Sequence, residues 1–277
     1  MNMRLFDSHA HYDDARFDGE TERILAEVHA GGVEKITNIA SSLATSKASV
    51  RLAETHGYIY ASVGVHPSDA VRDMQNADWL LQLESLYRSS EKVVAIGEIG
   101  LDYHYGKEDK EEQKLCFDAQ MQLAEKLNAP VVIHDREAHE DTLEILARYP
   151  SVTGVVHSFS GSFEMAKQVM KMGYYISVNG VLTFNNAKKI VDIVTRLDEL
   201  ASDARERILM ETDCPYLAPV PFRGKLNRSD YMLYTAEKAA ECLGVSREEF
   251  CELTYRNAFR FYRIDETGKV LRKPVEA

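Results

Sequence analysis

Residues 4 to 11 read Arg4-Leu5-Phe6-Asp7-Ser8-His9-Ala10-His11, a short apolar strand that ends on two histidines one residue apart. Residues i and i+2 of a strand point to one face, so the two imidazoles converge. Imidazole is a common ligand of divalent metals, and such a pair supplies half of a site. By itself the pair has two readings, a metal site or two histidines in ordinary core hydrogen bonds. The other histidines weigh toward metal. Of the nine in the chain, His66, His134 and His157 also close apolar strand-like runs, whereas His29, His56 and His139 fall in helix-like stretches. Histidines gathered at strand ends are what a metal centre at one end of a parallel barrel requires.

Outward from this strand, apolar runs rich in β-branched residues recur at residues 5–8, 35–39, 60–64, 93–97, 130–133, 153–156, 174–178 and 208–210. Each is followed by a helix-period stretch, as at residues 21–30, 45–56, 78–88, 110–127, 138–148, 163–172 and 187–194, the last strand by a long loop and two stretches, 231–242 and 248–262. Eight such repeats predict an α/β fold of the (β/α)8 TIM-barrel type, with the metal site at the C-terminal strand ends. A doubly wound sheet would carry a Gly-rich phosphate loop after its first strand. His9-Ala10-His11 stands there instead. No Gly/Ser or Pro-rich linker interrupts the chain, so residues 1–264 are expected to form a single domain. Residues 265–277 are expected to be a polar, frayed tail.

The 277 residues are 45% apolar, enough for a full core, and 33 basic against 44 acidic residues give a net charge of −11. A general nucleic-acid coat is thereby excluded, since such proteins grip phosphates with many cations. A phosphodiester remains accessible to a site made locally positive by bound metal. The four cysteines, Cys116, Cys214, Cys242 and Cys251, form no CxxC pair. That argues against a zinc ribbon and suits a reducing cytoplasm, where the protein is expected to reside. No apolar run reaches the roughly 18 residues of a membrane span, and no secretory signal or obligate protein partner is expected.

The remaining chemistry lies at the strand ends. The fourth strand closes Ile96-Gly97-Glu98-Ile99-Gly100-Leu101-Asp102-Tyr103, which puts Glu98 at the rim, where a carboxylate can bridge two cations. His134 is followed by Asp135 and Arg136, and His157 by Ser158-Phe159-Ser160-Gly161. The eighth strand ends Met210-Glu211-Thr212-Asp213-Cys214-Pro215, with Glu211 and Asp213 expected on one face. Glu211 reads as the acceptor that orients a metal-bound imidazole. Four imidazoles and two carboxylates suffice for two divalent ions; zinc suits the histidines, magnesium or manganese a more carboxylate-rich position. Two cations acidify the water between them, and a carboxylate at strand eight can take its proton. The reaction class is metal-assisted hydrolysis.

With these residues in place the chain resembles the TatD family of metal-dependent deoxyribonucleases, within the amidohydrolase-like barrel superfamily. The similarity runs in order through Asp7-Ser8-His9-Ala10-His11, Gly64-Val65-His66-Pro67, Gly97-Glu98-Ile99-Gly100-Leu101-Asp102-Tyr103 and Pro130-Val131-Val132-Ile133-His134. It continues through His157-Ser158-Phe159-Ser160-Gly161, Glu211-Thr212-Asp213 and Arg223-Gly224-Lys225. The resemblance implies that His9, His11 and Asp213 hold one ion, that Glu98 bridges, and that His134 and His157 complete a second. It implies Asp213 as general base, with Glu98 the other catalytic carboxylate. His66, Tyr103, Arg136 and Arg223 would face the substrate. DNA would be that substrate, with trimming from 3′ ends as one mode. Two departures from the family's pattern stand out: Leu226-Asn227-Arg228 follows Lys225, and Asp135 stands before Arg136 in place of a small residue. The rival reading is an amidohydrolase-type enzyme on a small molecule or an aminoacyl-tRNA ester. Such enzymes often bridge their metals through a carbamylated lysine at strand four, where this chain has Glu98.

Overall fold

Strands that are covered on both faces read as unbroken apolar runs, because neither face meets water. That is the state of most of the strands in the computed structural model, which describes residues 3–272. In chain order the elements are β1 (Leu5–Ala10), α1 (Thr21–Ala30), β2 (Val33–Asn38), α2 (Leu43–Thr55), β3 (Ile59–Val63), α3 (Ala70–Asp73) and α4 (Trp79–Ser89). Then come β4 (Val93–Asp102), α5 (Lys110–Leu127), β5 (Val131–Arg136), α6 (His139–Ala147), β6 (Gly154–Val156) and α7 (Phe163–Lys171). The last are β7 (Tyr175–Val178), α8 (Lys188–Thr195), β8 (Ile208–Met210), α9 (Met232–Leu243) and α10 (Arg247–Phe261). Strand order in the sheet follows chain order, with parallel pairing. This is the (β/α)8 arrangement.

The chain groups into two units, each assembled from separate stretches. The first, Met1–Asn38, Ser158–Lys171 and Tyr175–Ala258, carries β7, β8, β1 and β2. Its sheet continues past β8: Asp213 donates its backbone N–H to His9 O, His11 donates to Cys214 O, and Ala10 bridges Cys214. At the other end of β8, Asn257 of α10 donates to the carbonyls of Arg205 and Ile208, which docks the helix.

The second unit, Ile39–His157, Met172–Tyr174 and Phe259–Ala277, carries β3 to β6. Its longest strand is β4, ten residues that are all buried. The pairing of β4 with β5 shifts register between Gly97 and Ile99, so Glu98 sits at an irregularity of the kind that re-aims a side chain. Glycine at position 100 is required: its φ is +140°, and a Cβ there would run into the His134 carbonyl oxygen.

One expectation is corrected here. The segment after Ile264 does not fray within the described residues. Ile264 bridges Val270, Gly268 O accepts the Tyr60 hydroxyl, and the Arg272 guanidinium donates to the carbonyls of Tyr87, Ser90 and Val93. A polar composition concealed that its polar atoms serve as caps for the end of α4 and the start of β4. Residues 273–277 of the expected tail lie outside the described residues.

Candidate active site

In the first unit, His9 and His11 leave β1 on the same face, and their Nε2 atoms lie 3.1 Å apart. Asp213 Oδ1 lies 3.6 Å from the first and 3.3 Å from the second. Metal–ligand bonds of about 2.0–2.2 Å at tetrahedral or octahedral angles put neighbouring donors roughly 3–3.5 Å apart. These three Lewis bases have that spacing. Asp213 reaches them from a left-handed backbone, φ +57°.

Glu211 does not share that face, contrary to the alternation expected from the sequence. The strand ends at Met210, and the turn at Asp213 breaks the period of two. Glu211 is buried and accepts from the Ser158 backbone N–H, the Ser177 hydroxyl and the Asn179 amide. Through these bonds it fixes the segments that follow β6 and β7.

The brace around β1 was missed in the sequence. Asp7, wholly buried, accepts from the backbone N–H of His9 and Thr212 and from the hydroxyls of Thr212 and Ser229. Burial drives its carboxyl up and the four donors hold it down, leaving it at about 7. Asn227, in the stretch that departs from the family pattern, donates to the carbonyls of Thr212 and Tyr216, on either side of Asp213. The departure is thus a structural brace. Residue type alone gave no sign of this, because the carbonyls it holds lie 11 and 15 residues earlier in the chain.

In the second unit the convergence is tighter. Glu98 Oε1 lies 2.8 Å from His134 Nδ1, 2.8 Å from His157 Nε2 and 3.7 Å from His66 Nε2. His134 Nδ1 and His157 Nε2 are 3.3 Å apart. Burial opposes ionisation of Glu98, yet the surrounding imidazoles hold its carboxyl well below the usual range. Burial and the neighbouring His134 push His66 down to about 3, so its imidazole is neutral. His134 is shifted the other way: burial lowers it, but its bonds to Asp102 and Glu98 outweigh that and raise it. A cation that takes up these donors must therefore displace a proton from His134, as metal binding to imidazoles generally does.

His66, expected at the substrate, joins this group. Its Nδ1 accepts the Ser68 N–H and caps the turn, which aims Nε2 at Glu98. Asp102 is a second missed residue: its Oδ2 accepts His134 Nε2–H at 3.3 Å, which leaves Nδ1 as the outward donor. Burial works against the Asp102 charge, but that bond and two backbone N–H groups bring its carboxyl down to about 2. The GLD pattern at residues 100–102 carried this signal without saying which way the side chain turned.

The other expected substrate contacts are placed differently from one another. Tyr103 is buried, and its hydroxyl donates to Asp141 Oδ2 at 2.5 Å. Arg136 is exposed and lies over the Tyr105 ring, 4.7 Å from its centroid. Arg223 is exposed over the Phe184 ring. Asp135, the second departure, is paired with His139 at 2.7 Å and so serves α6.

Comparison with known proteins agrees with this chemistry. The chain matches the family described as TatD related DNase over residues 6–263. It is 41% identical over 265 residues to YabD of Bacillus subtilis (strain 168), an uncharacterized metal-dependent hydrolase, covering 94% of this chain and 100% of that one. It is 36% identical over 271 residues to YcfH of Escherichia coli (strain K12), also an uncharacterized metal-dependent hydrolase, covering 95% and 97%. The crystal structure of YjjV, a TatD homolog from Escherichia coli K12, superposes with a TM-score of 0.86 at 30% identity, covering 96% of this chain and 100% of that one. Fold, donor clusters and these relatives together make the chain a member of the TatD family of metal-dependent hydrolases.

Proposed function

We propose that the protein hydrolyses phosphodiester bonds of DNA with two divalent ions, with Asp213 as general base. The observation that carries this is the pair of donor sets, His9–His11–Asp213 and His66–Glu98–His134–His157, each containing a carboxylate and neutral-capable imidazoles at ligand spacing. When bound, the ions would supply Lewis acidity toward a phosphoryl oxygen and lower the pKa of water. The chain's own part is to hold donors and to move a proton. Asp213 Oδ1 faces two imidazole donors, where an attacking water would be presented, and a carboxylate there can accept its proton. Asp102 keeps His134 in the tautomer that leaves Nδ1 available. Four cysteines without a disulfide suit the cytoplasm, where we place the activity.

The test is an activity panel of metal-reconstituted protein against single-stranded DNA, duplex DNA, RNA, an aryl phosphodiester and an aminoacyl ester. Hydrolysis of DNA is expected with zinc, manganese or magnesium. Turnover of the aminoacyl ester with none of DNA would replace this reading by the deacylase one. In our proposal Glu98 serves both ions, because a shared carboxylate offsets the repulsion between two cations. Glu98→Gln should therefore lose metal at both positions by elemental analysis, and full metal content in that variant would remove Glu98 from the role.

A further inference from the structure

Tyr105 is the most exposed large aromatic side chain among the described residues, with 75% of its surface open, yet the backbone that carries it is hydrogen-bonded on both sides. Asp102 Oδ1 accepts the backbone N–H groups of His104 and Tyr105 at 2.8 and 2.9 Å. Gln113, buried on α5, accepts the Asp102 N–H through Oε1 and donates through Nε2 to the carbonyls of Asp102 and Gly106. The Gly106 N–H closes the turn onto Asp102 O. An isolated exposed aromatic needs no explanation. One whose backbone is fixed from both ends, while its ring is left in solvent, does.

The surroundings of the ring say what it suits. The Arg136 guanidinium lies over it, 4.7 Å from the centroid, and the His104 ring meets it edge-on at 4.6 Å. An aromatic ring and a guanidinium plane are the two surfaces on which unpaired nucleobases stack, whatever their sequence. Position matters as well. Asp102 holds Tyr105 with one oxygen and His134 of the Glu98 cluster with the other. One carboxylate thus ties the Tyr105 backbone and the His134 imidazole together. A net charge of −11 also leaves little general attraction for a phosphate backbone, so a grip that does not depend on the overall field is needed.

We propose that Tyr105 and Arg136 form the platform on which an unpaired nucleobase of the substrate stacks beside the Glu98 cluster. This rests on the phosphodiester reading and deepens it: one base of the substrate is gripped whatever its identity. Tyr103, two residues earlier and buried against Asp141, plays no such part.

The test uses the full chain with divalent metal and two readouts. One is binding of a fluorescein-labelled oligothymidine by anisotropy; the other is its hydrolysis, alongside the same oligonucleotide carrying abasic residues at its 3′ end. Tyr105→Ala should weaken binding and raise KM about tenfold, the effect of losing one base–aromatic stack, with kcat and metal content unchanged. Tyr105→Phe should keep the parental values. The parent should lose the same factor on the abasic oligonucleotide, and Tyr105→Ala should lose nothing further. Parental affinity in Tyr105→Ala, or an equal loss on intact and abasic substrates, overturns the platform while leaving DNA hydrolysis in place. Binding that follows this pattern without any hydrolysis overturns the nuclease reading and supports the platform. Absence of both binding and hydrolysis overturns both.

Discussion

At the scale of single residues, Asp213 decides most. Its left-handed backbone is rare outside glycine, asparagine and aspartate, and the Thr212 and Tyr216 carbonyls on either side of it are held by Asn227. Asparagine tolerates the same conformation and keeps one oxygen, so Asp213→Asn isolates the charge from the fold. In our proposal it cannot take a proton near neutral pH, and hydrolysis should fall about 10²- to 10⁴-fold. The fold should survive, as read by circular dichroism. A variant retaining more than a tenth of the parental rate, with its metal intact, would place the base elsewhere. The candidate histidines His9, His66, His134 and His157 were legible because each closes an apolar run. What escaped the sequence was the direction of side chains beyond the strand ends. Glu211 and Asp213 obey the period of two only while the backbone is extended, and a positive φ cannot be read from residue types alone. Asp7 and Asp102 escaped for a related reason: a buried carboxylate is recognised by what surrounds it, and their side-chain donors, Thr212 and Ser229 for Asp7 and His134 for Asp102, come from distant segments.

At the scale of elements, β4 shows how a strand aims a residue. The register shift at Glu98 would be of no use if the neighbouring backbones could not approach, and Gly100 permits that approach. Gly100→Ala should cost about 2–4 kcal/mol in urea denaturation, through strain at positive φ and a clash with the His134 carbonyl. It should also lower metal occupancy, because His134 sits on the displaced strand. Parental stability in this variant would show that β5 yields freely. The strands and longer helices were legible from periodicity: residues 21–30 and 110–127 fall on α1 and α5. The four-residue α3 and the 3-10 turns were not, since one turn has no period to detect.

At the scale of the whole molecule, burial sorts the four cysteines. Burial pushes Cys116 up to about 12 and Cys251 to about 11, and raises Cys214 still further, whereas Cys242 on α9 is half-exposed. Ellman's reagent should therefore modify about one thiol quickly in the native protein and all four in denaturant. Two or more fast thiols would mean that the packing around β1 or α5 opens readily. Metal should stabilise the whole chain, since ions that bind only folded donor sets add about 2.7 kcal/mol at a hundredfold excess over Kd. The midpoint of thermal unfolding should rise by several degrees with added divalent metal and fall back with chelator. An unchanged midpoint would contradict both donor sets. Strand order followed from counting repeats. The grouping into two units did not, because each gathers stretches that lie far apart in the chain. That interleaving sets a timetable. During synthesis, at about 5–20 residues per second, the His66–Glu98–His134–His157 set is complete once residue 157 has left the ribosome. His9 and His11 emerge first of all, yet must wait for Asp213, some ten seconds or more later. The earliest-made of these candidate donors are thus the last to be matched, and one donor set is fully synthesised while the other is still half written.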